Sequence, residues 1–190
     1  MQRLFAIQEL CAGLDRGDLT RSDFADEAAA SVAALVGCSA AAFWLLLDTH
    51  GGRMVQPLGE RVDALRWGLD HDASAARFAE SLETEGCVIA HDARLHAATA
   101  PFFDPTLPSS PVRSMLAVPF SINGDLFGAF VCAELDRTTR WSAAQLSTLR
   151  RITVGISPPL ARATSFTMSV RPPERHGSPW VRRPAGPNRS

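Results

Sequence analysis

Two apolar runs near the middle of the chain, Val112–Ile122 and Leu126–Glu134, flank the tripeptide Asn123-Gly124-Asp125. Because Asn-Gly supplies the positive φ angles of a tight type I′ turn, this pattern predicts a β-hairpin. Both alternating faces of the second run are apolar, which is typical of a central strand covered on both sides. The stretch therefore predicts the middle of a sheet with a further layer on each face.

Segments with apolar residues at helical spacing predict four helices. Thr20 and Asp23 form a capping box before the second helix, and Ser142 and Gln145 form one before the last. Pro158-Pro159 should end the last helix, because proline lacks a backbone N–H and restricts the residue before it. The predicted helices run from Leu4 to between Gly13 and Gly17, from Ser22 to Val36 with Gly37 as its stop, from Ser74 to Leu82, and from Ser142 to the proline pair.

Three further apolar runs predict strands at Cys38–Asp48, Arg53–Leu58 and Cys87–Ala90. A long, proline-punctuated connection separates the last of these from the hairpin, and such connections are usually functional or mobile. Strands between terminal helices predict an α+β fold, in which an antiparallel sheet carries those helices on one face. We expect residues 1–160 to form one domain and the Pro- and Arg-rich residues 161–190 to form a disordered tail.

The composition and charge of the chain exclude several classes of function. A chain of 190 residues with 46% hydrophobic content can bury one core, and its net charge of −1 gives no general reason to expect nucleic acid as a partner. All 19 basic residues are Arg, so chemistry that needs a Lys amine is excluded. The four Cys are scattered without a C-x-x-C pair, and no run is long enough to span a membrane. We therefore expect a reduced, cytoplasmic protein with no membrane partner.

The hairpin and its flanks resemble the GAF domain, a small-molecule sensor module of bacterial signalling proteins, phytochromes and cyclic-nucleotide phosphodiesterases. The resemblance covers roughly residues 3–157, and its details are most similar to GAF domains of bacterial sensor kinases and diguanylate cyclases. The stretches that carry it are Arg113–Pro119, Gly124, Leu126–Ala129, Cys132-Ala133-Glu134, Arg140-Trp141-Ser142 and Val88–Ala93.

The resemblance implies a sheet with the terminal helices on one face and a ligand pocket on the other, roofed by about Trp67 to Arg113. It implies a non-catalytic sensory module with a small-molecule ligand or a protein partner, and it leaves the identity of any ligand or cofactor unspecified. With no output domain visible after the last helix, we expect either action in trans on a signalling partner, or a chain that is a fragment or a decayed copy. A homodimer through the terminal helices is also implied, and as a third hypothesis a pure interaction scaffold would dimerise through Leu4, Phe5, Ile7, Leu10, Leu146, Leu149 and Ile152.

The predicted roof contains four aromatic residues that could line a cavity for a planar or apolar ligand. They could equally form the roof's own core, and the sequence leaves both interpretations open. Arg113, at the start of the hairpin, could bind an anionic ligand bidentately or lie on the surface. The four aromatic candidates are Trp67, Phe78, Phe102 and Phe103.

His91 and Glu134 are two further candidate site residues. His91 could act in acid–base chemistry or contact a ligand, although the adjacent Asp92 favours a simple turn. Glu134 could form a salt bridge to Arg140 that positions Trp141, or could face the pocket. His71 and His96, which lie near further aspartates, show no metal-ligand spacing, so we predict neither a metal site nor catalytic residues.

A function based on cysteine thiols is the alternative to a non-catalytic sensory module. Stand-alone GAF proteins that reduce free methionine sulfoxide use cysteines near the roof, so Cys87 or Cys132 could serve a thiol-based enzyme or redox sensor. Neither has a neighbouring Cys in the sequence, which disfavours this interpretation.

Overall fold

The computed structural model describes residues 2–49, 52–61, 65, 72–103, 110–122 and 124–168. These residues form four α-helices and five strands, in the order that the hydrophobic pattern predicts. In chain order they are α1 Gln2–Arg16, α2 Arg21–Val36, β1 Ala40–Thr49, β2 Gly52–Leu58, α3 Asp72–Glu85, β3 Val88–Ala90, β4 Val112–Ile122, β5 Asp125–Leu135 and α4 Ala143–Met168. A short 3₁₀ turn, Ala100–Phe102, lies between β3 and β4.

The five strands form one antiparallel sheet in the order β2-β1-β5-β4-β3. β5 is the middle strand, paired with β1 through Leu45↔Gly128 and with β4 through Val118↔Phe130. Its residues from Gly128 to Glu134 are all buried, as expected for a strand with a layer on each face. The α+β fold class is confirmed. Asn123, and with it the predicted turn type, lies outside the described residues.

The first face of the sheet carries the terminal helices. Phe43 on β1, and Phe130 and Cys132 on β5, pack there with residues of α1, α2 and α4. The Phe43 and Phe130 rings meet edge to face with centroids 4.7 Å apart, a favourable aromatic geometry. We call this side the helix face.

The opposite side is covered by α3 and the turns of residues 91–103, and we call it the roof face. Side chains alternate along a strand, so Ala129, Val131 and Ala133 of β5 lie here, between the helix-face positions. The placement of the terminal helices on one face and a roof on the other is therefore as the sequence predicts.

Helix ends agree with the predicted caps. The Thr20 hydroxyl accepts the backbone N–H of Asp23 at 3.1 Å, and Gly37 ends α2 in the left-handed conformation with its N–H bonded to Ala33. Ser142 and Gln145 exchange backbone-to-side-chain hydrogen bonds of 3.0 and 3.2 Å before α4. These bonds satisfy groups that the helix itself leaves unpaired.

The prediction that Pro158-Pro159 ends the last helix is wrong, because α4 continues through both prolines to Met168. Leu160 and Ala161 beyond them are buried on the helix face. The first residues of the predicted tail, 161–168, are thus helical, and residues 169–190 lie outside the described part. In that part, no helix combines the length and apolarity that crossing a membrane requires.

Several of the residues predicted to form a dimer interface are buried within the chain itself. Ile7, Leu149 and Ile152 are at most 4% exposed and form part of the chain's own core. Phe5 is 62% exposed instead, because it lies on the outer side of α1, away from the sheet. The side chain of Leu4 lies outside the described residues.

Candidate functional site

The roof face has a floor of small and medium-sized side chains, with the large Trp44 and Met115 among them. Alternation along β1 places Ala42, Trp44 and Leu46 on this side. The neighbouring strands add more alanines, whose short side chains leave space above the sheet around the indole. The Trp44 ring and the rings of the roof occupy this space. The floor alanines on the other strands are Ala90, Ala117, Ala129 and Ala133.

Two phenylalanines from the roof close over Trp44. Phe78 projects from α3 and Phe102 from the 3₁₀ turn, and both are buried. The ring centroids are 5.4 Å apart for Trp44 and Phe78, 5.7 Å for Trp44 and Phe102, and 5.6 Å for the two phenylalanines. The three rings form a closed triangle, which we call the aromatic cluster. Such tilted contacts stabilise a pair by about 0.5–1.5 kcal/mol beyond area burial.

Hydroxyl groups hold the roof segments in place. The Ser74 hydroxyl donates to the carbonyl of Pro101 at 2.9 Å and so joins α3 to the 3₁₀ turn. The buried Thr99 hydroxyl donates to the carbonyl of Ala93 at 2.6 Å. Both hydroxyls are therefore committed to the roof's own backbone.

An ionic contact joins the sheet edge to α3. Arg53 of β2 donates to Glu83 at 2.7 Å and to Asp48 at 3.1 Å. Donation to the Glu83 carboxylate raises the pKa of Arg53, burial opposes this, and donation to Asp48 raises the pKa further. This exposed pair orients α3 over the sheet and adds little to stability.

The indole N–H of Trp44 has no hydrogen-bond acceptor among the described residues, although the side chain is only 1% exposed. A buried donor left unpaired costs about 1–3 kcal/mol. The indole of Trp141 is also unpaired, but it lies on the helix face. The aromatic cluster therefore contains one donor for which the described residues of the roof supply no acceptor.

The structure brings together some of the predicted site residues. Phe78 and Phe102 form the cluster, and Phe103 packs against it, half-buried. The Arg94 guanidinium lies 5.7 Å from the centre of the Phe103 ring, a cation–π distance. Arg113 is half-buried on β4, and its carbonyl accepts the Ala93 N–H at 2.8 Å. Trp67 lies outside the described residues.

His91 and Glu134 lie elsewhere, at the junction between the sheet and α4. Nδ1 of His91 accepts the backbone N–H of Trp141 at 3.1 Å. Glu134 alternates with Ala133 and so faces the helix side, where it accepts the Ser39 hydroxyl at 2.6 Å. Neither residue belongs to the aromatic cluster.

The predicted ion pair at this junction has a different partner. The Glu134 carboxylate meets Arg137 at 3.5 Å, not Arg140, because the chain turns sharply after β5 with Asp136 at a positive φ. Trp141 is positioned by His91. Asp92 accepts the N–H of Arg94 at 3.0 Å, which confirms the turn that its sequence position predicts.

The two predicted cysteines lie on the helix side. Cys132 is fully buried in β5, and Cys87 is half-buried next to β3. Interaction with the Cys38 thiol, together with burial, raises the pKa of the Cys132 thiol well above its usual value. Within the described ranges, no three His, Cys, Asp or Glu side chains are grouped to hold a metal ion.

Sequence reasoning missed Trp44 as a site residue. Trp44 stands out only as a large residue among alanines, and that pattern becomes visible once the strand register is known. The pairing of β1 with β5 that sets this register is long-range, and local sequence does not contain it.

Comparison with models of protein families identifies the family of this chain. The family model for the GAF domain matches residues 20–156, which is most of the chain and includes the whole sheet. The chain therefore belongs to the GAF domain family. A comparison with curated proteins finds no significant match.

Solved structures with the same fold include sensory domains and an enzyme. The GAF domain of a phosphoenolpyruvate-protein phosphotransferase from Coxiella burnetii is 14% identical, with a TM-score of 0.60 over 88% of this chain and 98% of that one. A phycoerythrobilin-bound GAF domain from a cyanobacterial phytochrome is 15% identical, with a TM-score of 0.61 over 86% and 96%. Free methionine-R-sulfoxide reductase from Neisseria meningitidis, in complex with its substrate, is 15% identical, with a TM-score of 0.58 over 86% and 89%. At these identities the likeness shows the shared fold.

Proposed function

We propose that this GAF domain is a non-catalytic sensory module of bacterial signal transduction that binds a small ligand at the roof face. The ligand we propose is largely apolar, with one hydrogen-bond acceptor directed at Trp44. The observation that carries this proposal is the buried, unpaired indole N–H within the aromatic cluster. Ser74 and Thr99 already have acceptors, whereas the Trp44 indole has none among the described residues and can donate to a ligand.

Access would come from movement of the roof. Phe102 lies on a three-residue 3₁₀ turn and Phe78 on α3, whereas Trp44 lies on β1, which is paired on both sides. A ligand that replaces the Phe102 ring would keep an apolar contact and would give the Trp44 N–H a partner. Binding would then favour the roof position that accommodates the ligand.

The output we propose is a change in association through the terminal helices, either with a second copy or with a signalling protein. Phe5 on α1 and Val154 on α4 are 62% and 76% exposed, so they can meet a partner without unfolding the core. The four described cysteines are free thiols, which supports a cytoplasmic location.

The ligand test uses native mass spectrometry of the purified chain, followed by titration with biliverdin and with smaller aromatic ketones. The readout is the ¹H–¹⁵N indole signal of Trp44. We expect a bound acceptor to shift that signal, and Trp44→Phe to weaken binding about five- to tenfold, the value of one hydrogen bond.

Trp141→Phe is the matched control, because it removes an equally buried and unpaired indole from the helix face. Equal weakening by both variants would contradict a site at the aromatic cluster. Incubation with free methionine-R-sulfoxide and dithiothreitol tests the non-catalytic part of the proposal. We expect no methionine, and its formation would favour the thiol enzyme.

A further inference from the structure

The loop between β5 and α4 is fastened to the sheet through two acceptors. The Thr139 N–H donates to the Ser114 hydroxyl at 2.6 Å, and the Trp141 N–H donates to Nδ1 of His91 at 3.1 Å. Ser114 is buried in β4, and its hydroxyl in turn donates to the His91 carbonyl at 2.6 Å. His91 therefore holds the loop twice, directly through its ring and indirectly through Ser114.

The backbone continues from His91 into the roof. Two residues further on, the Ala93 N–H donates to the Arg113 carbonyl at 2.8 Å, and the Ala93 carbonyl accepts the Thr99 hydroxyl at 2.6 Å. The Thr99 carbonyl accepts the N–H of Phe102 at 3.0 Å, and the Phe102 ring belongs to the aromatic cluster. A continuous series of hydrogen bonds and short backbone segments thus joins the aromatic cluster to the loop before α4.

The loop held by His91 sets the start of α4. The Trp141 side chain is buried in the core of the helix face, to which Leu149 and Ile152 of α4 also belong. The next residue, Ser142, caps α4 through its hydrogen bonds with Gln145. A displacement of Trp141 therefore moves both the cap of α4 and a ring in the core of the terminal helices.

The hydrogen bond from Trp141 requires an acceptor at position 91. An imidazole Nδ1 accepts only when it carries no proton, so the His91 ring is held as the tautomer with its proton on Nε2. When the turn of residues 91–103 moves, the Trp141 N–H has to follow His91 or lose its partner. Because an unpaired donor in a buried residue is unfavourable, the bond favours joint movement of the turn and the loop.

We propose that His91 couples the roof to α4, as the positioning residue that carries a displacement of the turn of residues 91–103 to the loop before α4. This rests on the proposed function, in which a ligand replaces the Phe102 ring and so displaces that turn. Binding at the roof face then changes the position of α4, and with it the surface that the terminal helices present to a partner.

The test uses no ligand and measures backbone amide exchange by NMR in the full chain. Thr99→Val removes the hydroxyl bond to Ala93, keeps the shape of the side chain, and so loosens the roof. The amide of Leu146 donates to the Ser142 carbonyl in the first turn of α4. We expect it to exchange about three- to fivefold faster, within the range of coupling through a packed network. The amide of Phe130 in β5 corrects each rate for global unfolding.

Thr84→Val is the matched control for the roof variant. It also removes a threonine hydroxyl bond, 2.7 Å long to the Glu80 carbonyl, but that bond lies within α3 and outside the series that leads to His91. The corrected Leu146 rate should therefore stay unchanged. Phe102→Leu replaces Thr99→Val as the roof variant if the valine variant loses its circular dichroism spectrum.

Two substitutions of His91 separate coupling from simple structural support. His91→Leu keeps the bulk and removes the acceptor, so the effect of Thr99→Val on Leu146 should fall below about twofold, the scatter expected for independent sites. His91→Asn should restore the full effect, because its carboxamide oxygen can accept the Trp141 N–H in place of Nδ1. A merely structural role would change the Leu146 rate in His91→Leu itself but would leave the effect of Thr99→Val unaltered.

Two results would overturn the proposal: no acceleration at Leu146 in the roof variant, or the same acceleration in His91→Leu as in the natural sequence. The second result would assign the coupling to the strands of the sheet. Ligand binding is measured separately at the Trp44 indole. A chain that binds a ligand without this coupling keeps the roof site and loses the role of His91, and a chain that couples without binding does the reverse.

Discussion

At Gly128, in the middle of β5, the backbone passes too close to β1 for any side chain. A Cβ placed there would overlap the carbonyl oxygen of Trp44. That oxygen belongs to a strand that is paired on both sides, so it has little freedom to move. Glycine is required at this position by close approach of two backbones and not by its own dihedral angles.

Gly128→Ala should therefore destabilise the protein by about 2–3 kcal/mol, at the upper end of the cost of overpacking. Urea unfolding followed by circular dichroism measures this change. The matched control is Gly155→Ala on the exposed side of α4, where an added Cβ meets no heavy atom within 4 Å. That variant should gain about 0.5–1 kcal/mol from helix propensity, and a loss of similar size in both variants would contradict the explanation.

The reactivity of Cys38 depends on several neighbouring groups. The hydrogen bond from Cys132 lowers the pKa of Cys38, and burial and the Glu134 carboxylate raise it in turn. Hydrogen bonds with the backbone of Ala133 and of Ala40 also lower it. The donor thiol is the largest of these effects, so the reactive form of Cys38 depends on the presence of a donor at position 132.

Removing that donor should move the alkylation of Cys38 to higher pH. Cys132→Ala takes away the group that stabilises the thiolate, so the pKa of Cys38 rises and less thiolate is present at any given pH. Cys132→Ser keeps an O–H donor and should keep the midpoint lower than in the alanine variant. The rate of iodoacetamide labelling at Cys38, followed by mass spectrometry against pH, measures the midpoint. An unchanged midpoint in Cys132→Ala would refute the assigned cause.

Among the elements, α4 shows how tertiary contacts override a local breaker. A proline inside a helix costs about 3 kcal/mol through its lost hydrogen bond and the clash of its ring. Fully burying a leucine returns about 1.5–3 kcal/mol, and Leu160 is buried beyond the two prolines. Arg162 adds hydrogen bonds of 2.8 Å to both carboxylate oxygens of Asp15 on α1. The contacts of the last turns therefore offset part of the cost of the two prolines.

Pro158→Ala should stabilise the protein by about 1 kcal/mol, because the new N–H can bond within the helix while the unfolded chain gains some freedom. Pro158 is exposed, so no core contact is lost. The urea midpoint of unfolding measures the gain. Arg151→Ala, at another exposed position of α4, is the control and should change stability by less than about 0.5 kcal/mol. A lower midpoint for Pro158→Ala would show that the prolines are needed for the shape of α4.

At the scale of the whole molecule, the two faces of the sheet are covered by different parts of the chain. The helix face joins both ends of the domain, since α1 and α4 share its core. The roof face is built from α3 and a long connection that few strand pairs constrain, as β3 has three residues. A change at the roof can reach the terminal helices through the strands that line both faces, chiefly β1 and β5.

If the terminal helices mediate self-association, charge on their outer side should break it without unfolding. We expect Phe5→Glu and Val154→Glu to shift a dimer to a monomer in light scattering after size-exclusion chromatography, with unchanged circular dichroism. Ile7→Glu should unfold the protein instead, since Ile7 is 4% exposed. Dimers that persist in both surface variants would place the interface elsewhere.

The sequence by itself determined the elements, their order and the family. Alternation along Val112–Ile122 and Leu126–Glu134 and the cap residues at Thr20 and Ser142 act over a few residues, so local physics was enough to predict them. The GAF resemblance was contained in the same strands, and the family match confirmed it.

Only the tertiary structure decided which side chains meet. The aromatic cluster needs the roof placed over β1, a long-range arrangement that no local pattern specifies. The assignment of His91 and Glu134 to the α4 junction depends in the same way on which strand face each residue occupies. The continuation of α4 past Pro158 is accompanied by burial of Leu160, a tertiary contact that the local preference of proline does not contain.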